Sequence, residues 1–488
     1  MEKSDCLVEF SEKITCPGLF YGTSTFDGIL SRIRTAGGML NSQQALAVAN
    51  FSEEFADGFI QLTNRANFQF RGVSKNLPAR VFTNLQSLKL AGSTPKVDHI
   101  RNIMASPTAG IDPQQLIDTR PLVKALDASL SNYPELGELS AKFSVGFDGG
   151  ESVPVYPHPN DIWFVATGLN NNIYFRLYLN VETRGKLLNT GIILEPKQCL
   201  PLTISLAQTY LQLSSEIPQQ TGTTKPRLRQ VLAHFGIEFY LNKAKSRLNF
   251  PLNQNFDLPE IAQENIEQYR HIGIHPQQQT GLYYLGIVIP LGRLQASQLK
   301  KIALLSEKYG SGNIRLTPWQ NLLIPDISEQ KITQIQQEIE NLNLSYSTHN
   351  PYAGLVACAG NKGCASSATD TTNHSLNLAE YLQQQINLDT PITIHFTGCA
   401  KSCAKHTPSD ITLLGIKLEG KPENYHLYLR NNTESFGQPI HENVNFDQLP
   451  HLITQMLKTY QKNRTHNQET FKQFTNRHTQ NQLKNLFQ

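Results

Sequence analysis

The sequence predicts an α+β protein made by internal duplication, a pseudo-two-fold assembly of two small half-domains and two larger α/β domains. Three observations carry this. The chain has 488 residues, more than one hydrophobic core usually organises. Sliding it against itself by 254 positions aligns residues 38–73 with 292–327 without a gap, and 11 of the 36 positions are identical. Each copy also has the same pattern, an apolar run, an amphipathic stretch, a glycine and an alternating segment, which reads as strand, helix, strand.

In chain order, the first copy opens with the apolar run 29–34 and the second with 283–290. The helical face of the second copy is Leu299, Ile302, Ala303 and Leu305, followed by a strand through Ile314 and Leu316 and another near Ile324. The identities include Leu40/Leu294, Gln44/Gln298, Ser52/Ser306, Glu53/Glu307, Gly58/Gly312, Thr63/Thr317 and Asn67/Asn321. A fainter echo follows each copy, pairing Ile117-Asp118-Thr119 with Thr369-Asp370-Thr371 and Lys142-Phe143-Ser144 with His395-Phe396-Thr397. The order is then small, large, small, large, with domains at 14–80, 90–250, 275–335 and 345–462. Polar, proline-bearing stretches at 214–227 and 253–279 are the expected connections. The tail, 463–488, is rich in Asn and Gln and is expected to be a surface helix or disordered. Two copies at this long period exclude a solenoid.

Composition removes several classes of function. The formal net charge is +3 with scattered basic residues, so the dense cationic footprint of a nucleic-acid binder is missing. Residues 1–10 do not read as a signal peptide, and no apolar run approaches the ~20 residues that span a bilayer. A cytosolic protein without membrane contact is expected. Gly310-Ser311-Gly312 lies after a helix and before a strand, the wrong order for a dinucleotide-binding turn, so electrons for any redox chemistry must come from a separate protein.

Four of the seven cysteines gather near one another in the second half. Cys358 and Cys364 are separated by five residues, Cys399 and Cys403 by three, with 34 between the pairs. A helix over 366–386 and a strand through Ile392, Ile394 and Phe396 would bring the two loops to one end of a sheet. Glycines 354, 360, 363 and 398 allow close approach of backbone to a bulky group. Four converging thiolates imply a bound metal that offsets their charge or, failing that, oxidation. Spacing alone leaves structural zinc as the rival, although its turns usually hold two to four residues between cysteines. Cys6, Cys16 and Cys199 are dispersed and are expected only to pack.

The Cys-x5-Cys and Cys-x3-Cys pairs resemble the cluster signature of the nitrite/sulfite reductase superfamily, which includes precorrin-3B synthase. The likeness runs from Cys16-Pro17-Gly18-Leu19-Phe20 and Arg32-Ile33-Arg34-Thr35-Ala36-Gly37-Gly38 to Asp410. It implies two ferredoxin-like half-domains and two nitrite/sulfite reductase domains, the second holding a 4Fe-4S cluster on Cys358, Cys364, Cys399 and Cys403. It also implies a tetrapyrrole site, with Cys403 bridging cluster and sirohaem iron in the reductases. By position in the motifs Thr63-Asn64-Arg65-Ala66-Asn67, Arg101-Asn102-Ile103 and Ala141-Lys142-Phe143-Ser144, the cations Arg65, Arg101 and Lys142 would face substrate. Arg32 and Arg34 are candidates for tetrapyrrole carboxylates, with a solvated strand end as the alternative. The repeat partner of Arg65 is Trp319, an asymmetry expected of one site on a duplicated scaffold.

Two departures bear on the reaction. Ser144 stands where sulfite reductases carry a second lysine and nitrite reductases an asparagine. The run Cys399-Ala400-Lys401-Ser402-Cys403-Ala404 is more similar to precorrin-3B synthase. The resemblance therefore implies first an oxygen-dependent hydroxylation of precorrin-3A in cobalamin biosynthesis, with the tetrapyrrole as substrate. The alternative is a nitrite or sulfite reductase with bound sirohaem. Either would be a monomer that receives electrons from a donor such as ferredoxin.

Overall fold

A computed structural model describes residues 7–9, 11–12, 17–182, 186–218, 225–255, 258–259, 269–405, 408–417, 423–430 and 436–487. The chain divides into two compact units. The first comprises 1–24, 29–286 and 295–338, and the second 25–28, 287–294 and 339–488. The four expected domains are thus grouped, with both copies of the repeat largely in the first unit.

The duplication has a direct structural meaning. Helix Ser42–Phe55 and helix Ala296–Tyr309 pack against each other. Both begin in a capping box, in which the shared glutamine is the third residue: Gln44 returns its side chain to the Asn41 amide, and Gln298 to the Gln295 amide. Both end alike, with the Gly58 amide donating to the Ser52 carbonyl and the Gly312 amide to that of Ser306. Gly58 (φ 79°) and Gly312 (φ 75°) occupy left-handed backbone that β-carbon-bearing residues avoid. The repeated Thr and Asn close the same turn, since the Asn67 and Asn321 amides donate to the hydroxyls of Thr63 and Thr317. Most of the identities noted above are therefore caps and turns.

The two copies also exchange backbone. Strand Met39–Asn41 leaves its own copy and pairs antiparallel with Asn313–Leu316 of the other. Two hydrogen bonds at matching positions close the exchange, from the Ser42 amide to the Gly312 carbonyl (2.8 Å) and from the Ala296 amide to the Gly58 carbonyl (2.9 Å). The duplicated glutamates join in, because Glu307 accepts from the Ser42 hydroxyl at 2.5 Å and Glu53 pairs with Lys300.

The large domains share one topology. In the first unit, Ile103–Ala105, Val145–Asp148 and Ile162–Leu169 run parallel, then Asn172–Asn180 and Leu187–Leu194 follow antiparallel. In the second unit, Leu355–Ala357, Ile394–Thr397 and Ile411–Ile416 run parallel, then Asn424–Leu429 and Gln438–Asn445 antiparallel. Phe147 sits beside Ala105 and Phe396 beside Ala357, so sheet position pairs Phe396 with Phe147. The expected pairing of Phe396 with Phe143 is corrected by four residues. A local three-letter match cannot fix register when the connecting loops differ in length.

Other expectations are also revised. The helix expected over 366–386 is Thr371–Gln385, because the preceding residues are spent in the cysteine loop. Residues 214–216 close the helix Pro196–Glu216, and within 253–279 the segments Asn253–Gln254 and Gly273–Pro276 are strands. Residues 219–224, 256–257 and 260–268 of those connections lie outside the described residues. The polar tail is neither a surface helix nor disordered. Its helices Phe471–Asn476 and Gln480–Leu486 bury Phe471, Phe474, Leu483 and Phe487 in the core of the second unit, alongside Phe396, Leu413 and Tyr460. Four apolar residues at helical spacing suffice to hold an otherwise Asn/Gln-rich segment. No helix among the described residues is long and apolar enough to cross a membrane.

Candidate active site

Two loops of the second unit carry the cysteines. Cys358 follows directly on the edge strand Leu355–Ala357, and its amide donates to the Phe396 carbonyl at 3.2 Å. Cys399 follows the adjacent parallel strand Ile394–Thr397 after a single glycine. Parallel strands end on the same side of a sheet, so both loops leave together. The Ala368 amide donates to the Gly398 carbonyl at 2.8 Å, and the Lys401 ammonium to the Ser366 hydroxyl at 2.9 Å, lacing one loop to the other. A β-carbon on Gly398 would lie 1.7 Å from the Ser367 hydroxyl oxygen, so this position has no room for a side chain.

The sulfurs sit among donors. Cys358 Sγ accepts the Gly398 amide at 3.3 Å and lies 3.3 Å from the Thr371 hydroxyl, which itself donates to the Cys358 carbonyl at 2.8 Å. All five described cysteines are unbridged, and Cys364 and Cys403 are the exposed pair. Cys403 is exposed as a residue but its sulfur is partly shielded, and that partial burial, reinforced by the charges of Cys399, Cys358 and Cys364, pushes its thiol up. Four thiols on two loops that leave one end of a sheet, with an amide directed at one sulfur, have the donor chemistry of an iron-sulfur site, and among the described residues no three of them stand close enough together to enclose a metal ion as they are. Cys199 is buried, as expected of a packing residue, and burial raises its thiol far above the usual range.

The expected cations lie in the first unit, linked partly by side-chain bonds and partly through the backbone between neighbouring residues. Arg65 projects from the Thr63–Asn67 turn, donating from Nη1 to Asn160 Oδ1 at 2.9 Å and from Nη2 to the Pro159 carbonyl at 2.7 Å. The next residue, Asp161, accepts the Ser144 amide at 3.1 Å and the Ser144 hydroxyl at 3.4 Å, and pairs with Arg227 at 3.1 Å. Ser144 is therefore buried on a carboxylate, two residues from the exposed Lys142.

Arg101 differs from the open cation expected. It is 4 % exposed and bidentate to Asp127, at 2.7 Å from Nε and 2.9 Å from Nη2, with Asp98 at 3.8 Å. Burial pulls its pKa down, but the Asp127 and Asp98 carboxylates outweigh this and the net shift is upward. Arg34 is also not a solvated strand end. It is fully buried, donating to Asn102 Oδ1 (3.0 Å) and the Pro17 carbonyl (3.2 Å) beside Asp98 at 3.6 Å. Half-buried Arg32 donates to Gln69 at 2.8 Å. Asn102 ties this group to Lys142 by donating to the carbonyls of Ala141 and Phe143, the residues on either side of it. Asn160, Asp161, Asp98 and Asp127 escape a sequence reading, because none stands in a motif with the cation it holds.

Trp319, the repeat partner of Arg65, packs instead of binding charge. Its ring stacks on His271 with centroids 4.4 Å apart and stands edge-on to His158 at 5.3 Å. Burial, aided by His158 and His275, holds His271 down to about 3, hence neutral.

Known proteins resemble this chain in sequence and in fold. Residues 25–87 and 275–342 match the nitrite/sulfite reductase ferredoxin-like half-domain, and residues 96–252 match the nitrite and sulphite reductase 4Fe-4S domain. The ferredoxin–nitrite reductase of Synechococcus elongatus is 29 % identical over 82 % of this chain and 79 % of its own length. The chloroplastic ferredoxin–nitrite reductase of Zea mays is 27 % identical over 82 % of this chain and 71 % of its own. The solved Mycobacterium tuberculosis NirA protein superposes with a TM-score of 0.77 over 93 % of this chain and 84 % of its own, at 22 % identity, a likeness of fold. The two small half-domains read from the repeat are those of the matched family, and the chain is an oxidoreductase that belongs to the nitrite/sulfite reductase superfamily.

Proposed function

We propose that this chain draws electrons from a ferredoxin-type donor into a 4Fe-4S cluster on Cys358, Cys364, Cys399 and Cys403, and uses them on a small oxyanion, nitrite before sulfite. Two observations carry this: in the second unit the four cysteines stand on two loops laced together at one end of a sheet, and in the first unit Arg65 is held by Asn160 and the Pro159 carbonyl. The named relatives, ferredoxin–nitrite reductases, support the donor and the anion. When bound, the cluster supplies one-electron transfer and a sirohaem supplies the iron at which the anion is reduced. This chain's residues do the rest. Arg65 and Lys142 hold the anion, the first as a fixed fork and the second as a mobile point charge. Arg101 is already balanced by Asp127 and adds no free charge of its own. Ser144, held by Asp161, adds no cation, which favours singly charged nitrite over dianionic sulfite.

A second reading has its own support. With Arg101 buried against Asp127, one of the three expected cations does not face outward, and Ala400, Lys401 and Ala404 are similar to precorrin-3B synthase. The reaction would then be oxygen-dependent hydroxylation of precorrin-3A. Anaerobic purification followed by iron, sulfide and pigment analysis, with turnover assays, separates the two. Bound sirohaem and nitrite-dependent oxidation of reduced ferredoxin are expected. Cluster without sirohaem, converting precorrin-3A only when oxygen is present, would overturn the reductase reading.

A further inference from the structure

We infer that Asn160 is the positioning residue for Arg65, aiming its guanidinium at the anion. The ligand in this inference rests on the function proposed above, whereas the contact rests on geometry alone. Asn160 Oδ1 and the neighbouring Pro159 carbonyl accept from the two terminal nitrogens of Arg65, at 2.9 and 2.7 Å. Two acceptors on adjacent residues define the plane of the fork.

Asn160 is itself fixed. It is 1 % exposed, and its amide nitrogen donates to Met104 Sδ at 3.4 Å, which leaves Oδ1 directed at the arginine. The loop is anchored on both sides. Asp148 accepts the Val155 and Tyr156 amides at 2.9 and 3.0 Å, and the Trp163 indole donates to the His158 carbonyl at 2.8 Å.

The duplication shows why this contact is specific. The same loop meets the same turn position of both copies, touching Trp319 with the His158 ring in one and Arg65 with Asn160 in the other. The choice of an amide also matters. Arg101 lies against the carboxylate of Asp127, which cancels its charge. Asn160 accepts the same kind of hydrogen bond without bringing a negative charge of its own, so it orients Arg65 without adding to its neutralisation.

The test uses the holoenzyme with Asn160→Asp, Asn160→Ala, Arg65→Ala and the double variants. Nitrite affinity is read from optical titration, and the melting temperature is recorded in parallel. Asn160→Asp, which keeps the shape and adds a charge, should weaken nitrite binding roughly tenfold or more, as should Asn160→Ala. Neither should weaken it further once Arg65 is alanine. Unchanged affinity in Asn160→Asp, or an equal loss in the Arg65→Ala background, would overturn the inference. If Asn160→Ala does not fold, Asn160→Asp carries the affinity test. If the unaltered enzyme gives no nitrite titration, the oxyanion reading fails while the contact is still decided by stability. Changes in melting temperature at the two positions should be non-additive, and additivity would contradict the contact.

Discussion

Glu151 shows what single residues contribute in the domain that lacks the cysteines. Ser106-x5-Asp112 follows the strand equivalent to the one before Cys358-x5-Cys364, and Asp148-Gly149 matches Thr397-Gly398. Where one domain gathers thiols, the other buries Asp112, Asp148 and Glu151. Asp112 is satisfied by the hydroxyls of Thr108 and Ser152, and Asp148 by three amides. Glu151 accepts the Gly149 amide through Oε2, while Oε1 is buried without a hydrogen bond. Burial first, then the Asp148 and Asp112 charges, raise its pKa well above 4.5. The folded state therefore keeps a proton there to higher pH than an ordinary glutamate does. Its stabilisation is fully present below pH 4.5 and is lost as pH rises toward the raised folded value. Glu151→Gln should match the parent in melting temperature near pH 4.5 and exceed it increasingly toward pH 8, and a difference independent of pH would refute a protonated Glu151. Such a residue is invisible in sequence, since an acidic side chain by itself reads as surface. The four cysteines were legible because cysteine is rare and its spacing narrows the chemistry. Asn160 and Asp127 were not, because they act on arginines 95 and 26 residues away through tertiary folding.

At the scale of elements, the repeat was readable because its identities do conformational work that tolerates few substitutes. Gln44 and Gln298 cap helices, and Thr63 and Thr317 close turns. The exchange of Met39–Asn41 into the other copy's sheet was not readable, since a strand's residues do not name their partner strand. Gly38 tests that exchange. It adopts φ 67°, and a β-carbon there would lie 2.6 Å from the Leu316 carbonyl oxygen and 2.9 Å from Ala66 Cβ. Gly38→Ala should cost about 2 kcal/mol or more in a denaturant titration, from left-handed strain plus separation of the two copies. An unchanged midpoint would mean that the close approach is not essential. The tail illustrates the opposite failure, in which composition misleads. Its Asn and Gln content suggests solvent, but Phe471, Phe474, Leu483 and Phe487 decide its place in the core.

For the whole molecule, one architecture is used twice and specialised differently in each unit. Thiols collect at the strand ends of one large domain, and cations collect around Arg65 and Lys142 in the unit containing the other. Superfamily membership follows from the matched domains, and the proposed electron entry depends on the cysteines holding a cluster. That claim has a direct measurement. Anaerobically prepared, chemically reduced protein should contain about four irons and four sulfides per chain and give a low-temperature paramagnetic resonance signal. Cys364→Ser should abolish that signal. One zinc per chain without sulfide, or a signal unchanged in Cys364→Ser, would contradict the assignment of the cluster to these four residues.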